Sequence, residues 1–153
     1  MRDIEHLFSV AEKLLDCAYN CICSSGCVNS NAIKATASLN IHKALEVLLV
    51  VAYSIKGLGH CPSNHDLHVM LNGYTSDNYR MSQTLIDDLF IVPTLTPEWC
   101  RNYNYIGSTE VDGDKLIKAF VAVSTFMDLL RSSDCGINLN KTYNELKPLI
   151  LSD

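Results

Sequence analysis

The sequence predicts an all-α protein, an up-and-down helical bundle of four to five main helices with a long irregular loop before the last core helix, and three observations lead to that reading. Apolar residues Ile4, Leu7, Phe8, Ala11, Leu14, Leu15, Ala18 and Ile22 recur at three- and four-residue intervals, the spacing that gathers side chains into one stripe on a helix. A later stretch, "ALEVLLVVAYSI", is apolar on nearly every side, as a helix enclosed by neighbours must be. No strand, internal repeat or low-complexity segment competes with the helical reading.

The individual elements follow in order. The first stripe predicts a long helix ending near 24–26, with Glu5, Glu12, Lys13 and Asp16 on its other face. A second helix should open around Asn29–Asn31 and run to Gly57 or Gly59, residues that accept the left-handed backbone of a helix end. "PSNHDLHVML" predicts a short third helix: Ser63 precedes Asp66 by three residues in the pattern of a capping box, and Leu67, Met70 and Leu71 supply the buried side. Thr75 or Ser76 is expected to cap a fourth helix through "YRMSQTLIDDLF", with Leu85, Ile86, Leu89 and Phe90 inward and Pro93 as its stop. Asp112 or Asp114 should start a fifth, running to about Gly136, and "KTYNELK" reads as a short tail helix. Between the last two core helices lies "VPTLTPEWCRNYNYIGSTEVDG", a long irregular stretch of the kind that often carries function.

Composition narrows the function classes. At 153 residues the chain suits one domain, 1–153, with a single core. A net charge of -5 disfavours broad, sequence-independent DNA binding, which requires a basic face. The start is charged throughout, and the longest uninterrupted apolar run, "VLLVVAY", is short for a bilayer, so the expectation is a cytoplasmic protein with no membrane association. Seven cysteines form an odd set, which favours free thiols over a disulfide framework.

The order of these pieces carries a resemblance. A long second helix containing "NIHKALEVLLVVAYSIKG", then "HDLHVML", a polar helix, a loop with aromatic residues and an arginine, and a last amphipathic helix together resemble the HEPN family, the higher eukaryotes and prokaryotes nucleotide-binding domains, over roughly 3–132. The resemblance implies a bundle that is usually a homodimer through its long helices. Many family members are ribonucleases of toxin-antitoxin or defence systems that use an Arg, then four to six intervening residues, then His. Others lack that motif and bind nucleotides or partner a nucleotidyltransferase subunit. This chain is similar to the second group: Arg101 is present, but Ile106, Gly107 and Ser108 stand where the His would be, and no His follows His68. None of those three side chains titrates near neutral pH, so the acid-base half of the ribonuclease site is missing and no catalytic residue is assigned.

The candidate site residues are therefore those of binding. Arg101, Tyr103 and Tyr105 alternate with asparagines, so an extended backbone would set one cation and two rings on one side, able to hold a phosphate and stack a base. Tethering of the loop by amphipathic rings is the competing explanation. Lys43 and His42 on the second helix could reach a phosphate at a dimer groove, or could simply pair with Glu46. Ser63, His65 and Asp66 are assigned to helix capping. His60, Cys61, His65 and His68 lack the spacing of a familiar zinc site, and Cys17, Cys21, Cys23 and Cys27 follow helix turns rather than paired two-residue gaps, so no metal and no cofactor is expected. The reading is a non-catalytic nucleotide- or short-RNA-binding module, or the partner subunit of an enzyme. The alternatives are a divergent ribonuclease and an adaptor that binds only a protein partner.

Overall fold

The computed structural model describes residues 4–24, 30–56, 66–76, 81–95 and 111–135, and these form an all-α helical bundle. α1 spans Ile4–Ile22, α2 Asn31–Lys56, α3 Leu67–Thr75, α4 Gln83–Leu89, α5 Val92–Leu95 and α6 Gly113–Cys135. The tail segment "KTYNELK", Ser63, His65 and the stretch with Arg101, Tyr103 and Tyr105 lie outside the described residues.

α2 is the centre of the bundle because most of its surface is apolar, above all in its second half, while Thr36, Lys43 and Ser54 stay exposed on an outer side. It packs most extensively on α1, then on α6, and also meets α3 and α5. Ile41, Leu45, Leu48, Leu49 and Val51 are completely buried, and so are Ala37, Ala44 and Ala52. The small residues matter as much as the large ones, since Ala11 and Ala18 of α1 are also completely buried and short side chains at a helix contact let the axes approach. By length and composition alone α2 would cross a membrane, yet 56% of its most apolar window is buried inside the protein.

Contacts between residues distant in sequence fix how the long helices run. Arg131, late in α6, meets Phe8 and Glu12, early in α1, whereas Phe120, early in α6, meets Tyr19, late in α1. α1 and α6 are therefore antiparallel. The side-chain oxygen of Asn31 accepts from the backbone N–H of Val111 at 2.7 Å, which sets the start of α2 beside the start of α6, and Tyr53 late in α2 is linked through Tyr74 to Phe126 in the second half of α6, so these two helices run the same way. Tyr53, Tyr74 and Phe126 form an aromatic chain from α2 through α3 to α6, with ring centroids 6.2 and 5.5 Å apart.

Local signals explain where the elements begin. The Ser30 hydroxyl accepts from the N–H of Ile33 at 3.2 Å, capping α2, and the Asp112 carboxylate accepts from Asp114 and Lys115 N–H at 2.9 and 3.2 Å, capping α6. α3 differs from expectation in register. Asp66 is itself the N-cap, accepting from His68 and Val69 N–H at 3.0 and 3.3 Å, not the third helical residue of a box opened by Ser63. A capping box uses Glu or Gln there because the side chain has to reach back to the cap; Asp is one methylene shorter and serves better as the cap.

The fourth helix is shorter than its pattern suggests. Thr75 and Ser76 turn their hydroxyls back onto Leu71 and Gly73 carbonyls at the end of α3. Ser82 caps α4 instead, accepting from Leu85 N–H at 3.1 Å. Pro93 does not stop α4, which closes at Phe90; it sits in the first turn of α5, where no intrahelical N–H is needed.

Candidate functional site

The outer side of α2 holds the two candidate cations that the structure describes. One helical turn separates His42 from Glu46, and His42 Nδ1 lies 2.9 Å from Glu46 Oε1. Because an ionised carboxylate only accepts, this nitrogen carries the proton, and Nε2 is the nitrogen left for another partner. Lys43 Nζ stands 3.7 Å from Glu46 Oε2. The two pairs are unequal: His42 and Glu46 are 20% and 12% exposed, whereas Lys43 is 64% exposed. Its ammonium retains hydrated donors for an anion, and its ion pair is the weak, solvated kind.

Asp66 and His68 do not converge on a site. The Asp66 carboxylate is directed at backbone N–H groups of its own helix. His68 Nδ1 is 3.0 Å from the Asn72 side-chain nitrogen, and its ring meets Phe90 at a centroid distance of 5.2 Å with a steep tilt. Since an amide nitrogen only donates, His68 Nδ1 accepts and Nε2 carries the proton in the neutral ring. Among the described residues no group of three or more His, Cys, Asp or Glu is arranged to hold a metal ion.

The segment carrying Arg101, Tyr103 and Tyr105 rejoins the described bundle at Val111, which is buried and tied to Asn31. Lys34 on the first turns of α2, and Lys115 and Lys118 on those of α6, belong to this end of the molecule. Asp112 and Asp114 belong to it as well, so its charge is mixed. Lys43 is twelve residues beyond Asn31, about 18 Å along the helix axis at the usual rise. The sequence reading missed Asn31 as a tertiary hydrogen-bond acceptor. An asparagine at a helix start signals a cap, and only the fold shows it serving a different helix.

A polar clamp joins α1 to α6. Arg131 lies 5.1 Å from the Phe8 ring centroid and 3.4 Å from Glu12 Oε1. Asp16, one turn beyond Glu12, has its pKa pushed up from the ordinary carboxylate value, by burial first and by the Glu12 charge second, with Lys13 opposing. Glu12 is thus only partly the solvated residue its place on the polar face suggested.

The cysteines at the end of α1 are free thiols. Cys17 is exposed; Cys21, one turn on, is half-buried against the core, and burial followed by the neighbouring Cys17 raises its pKa. Cys23 is exposed, and its hydrogen bond to the Tyr19 phenol raises the pKa of that tyrosine. Compared with protein-family models, with curated proteins and with solved structures, the chain matches none.

Proposed function

We propose that this protein is a HEPN-like helical module that binds a nucleotide or a short RNA without cleaving it, as a homodimer or as the partner subunit of a nucleotidyltransferase or of a toxin-antitoxin or defence system. The observation that carries the reading is the outer side of α2, where exposed Lys43 stands beside an imidazole whose Nδ1 is engaged by Glu46 and whose Nε2 is left for a ligand. The Lys43 point charge suits a phosphate oxygen, while Nε2 of an imidazole whose proton sits on Nδ1 accepts a hydrogen bond, as from a ribose hydroxyl or a base N–H of the same nucleotide. Val111, ten residues after Arg101 in the sequence, is tied to Asn31 at the end of the bundle that carries Lys34, Lys115 and Lys118 together with Asp112 and Asp114, so a phosphate bound there would meet lysines as well as carboxylates. The missing His after Arg101 argues against the family's cleavage chemistry.

One observation favours the ribonuclease alternative: a histidine held by a carboxylate is also how a general base is oriented. The same experiment separates the two. Purified full-length protein is titrated with nucleotides and short RNAs while melting temperature and RNA integrity are followed together. Stabilisation with intact RNA, weakened in Lys43→Ala and Arg101→Ala, is the expected result. RNA loss that disappears in His42→Ala would establish the enzyme, and neither stabilisation nor cleavage would leave the protein-binding adaptor.

A further inference from the structure

Two thiols, one turn apart on a helix face, make a chemical group that the nucleotide reading does not use. Cys17 and Cys21 are both free, the first exposed and the second half-buried, and they stand four residues apart on α1, one turn of the helix. We propose that Cys17 and Cys21 form a two-thiolate site for a soft, monovalent, two-coordinate cation of the Cu(I) type.

Geometry selects this chemistry over the alternatives. Residues four apart on a helix have Cβ atoms about 5–6 Å apart, beyond the roughly 3.5–4.5 Å that a disulfide allows. Direct oxidation of the pair would therefore have to unwind the last turns of α1. An ion between the two sulfurs removes that conflict: with metal–sulfur bonds of roughly 2.3 Å, as for a zinc thiolate, the sulfurs sit up to about 4.6 Å apart, a separation that helical rotamers span. Among the described residues no three candidate ligands converge, so these residues form no four-ligand zinc site. Thiolates select soft ions, and Cu(I) accepts two of them. Binding breaks two S–H bonds, forms two metal–sulfur bonds and releases two protons, with no change of oxidation state. The resulting complex carries one negative charge, and Lys13 lies one turn before Cys17 in the sequence of α1. Cys23, six residues from Cys17 and bonded to Tyr19, falls off this face.

The test uses the reduced full chain under anaerobic conditions, titrated with Cu(I) in competition with a chromogenic Cu(I) chelator. Cys17→Ser, Cys21→Ala and Cys23→Ser are measured beside the parent; alanine at 21 avoids placing a hydroxyl at the half-buried position, and melting curves check that each variant folds. The expected result is that the tightest equivalent of copper weakens by at least about a hundredfold in both the Cys17 and Cys21 variants, more than the 10–100-fold typical of losing an outer-sphere partner, and is unchanged in Cys23→Ser. Affinity should also rise with pH, because both thiols must lose a proton. Copper binding that survives loss of Cys17 or of Cys21, or that is absent from the parent chain, would overturn the proposal.

Discussion

The Asp66 carboxylate accepts two backbone N–H bonds at the start of α3, so Asp66→Ala should cost about 1 kcal/mol and Asp66→Asn much less, as judged by urea unfolding. Gly73 of the same helix poses a different constraint. A Cβ there would run into the Tyr53 hydroxyl, which is buried and donates to the Met70 carbonyl at 3.0 Å. Gly73→Ala should therefore destabilise, despite the roughly 1 kcal/mol that alanine gains over glycine in a helix. In a Tyr53→Phe background the obstructing oxygen is gone, and the same substitution should become neutral or stabilising. Asp16 supplies a pH dependence. Its folded pKa is raised, so its ionised form binds the folded state less well than the unfolded one, a deficit present above the folded pKa and relieved as the pH falls through it. Asp16→Asn should raise the melting temperature slightly at neutral pH, with the gain shrinking in acid; a gain that grows in acid would contradict the cause assigned here. These residue-scale facts were unevenly legible. Asp66 was readable as part of a helix start, but its register as the cap was not, since Ser63 and Asp66 offer the same local pattern in two alignments.

At the scale of the element, long stripes outperformed short signals. α1 occupies Ile4–Ile22, the extent of its apolar repeat, and Phe8, Ala11, Leu15 and Ala18 face the core. Eight periodic positions reinforce one another, so no single residue decides the outcome. α4 had no such redundancy. Ser82 lacks the Glu or Gln three residues later that marks a capping box, since Leu85 stands there, and Thr75 and Ser76 were equally plausible until their hydroxyls were seen bonded within α3. Ser82→Ala should consequently cost about 1 kcal/mol by loss of the cap, whereas removing the Thr75 hydroxyl should cost less. Hydrogen exchange at Leu85 would report the difference directly.

Across the whole molecule, stability depends on ties between helices distant in sequence. Asn31 accepts from the buried Val111 N–H, and truncating it to alanine leaves that donor unsatisfied, a loss of about 1–3 kcal/mol in unfolding free energy. If the segment before Val111 serves ligand binding as proposed, Asn31→Ala should also weaken that binding by more than it shifts the melting temperature of the free protein. Arg131 joins α6 to α1 through Phe8 and Glu12, and lysine cannot reproduce a flat guanidinium stacked on a ring while paired at its edge. Arg131→Lys should thus be distinctly destabilising, and a double-mutant cycle with Phe8→Leu should show coupling of about 0.5–3 kcal/mol. Of the candidate site, the pairing of His42 and Lys43 with Glu46 was open to inspection in their three- and four-residue spacing. The burial that distinguishes a held histidine from an exposed lysine was not. The sequence by itself determined the helical class, the apolar face of α1 and the burial of most of the second half of α2, because periodicity and composition act within a few turns. Tertiary structure alone decided the parallel run of α2 and α6, the reach of Asn31 to Val111 and the clamp of Arg131 on Phe8, because each depends on which distant residue packing brings within bonding range.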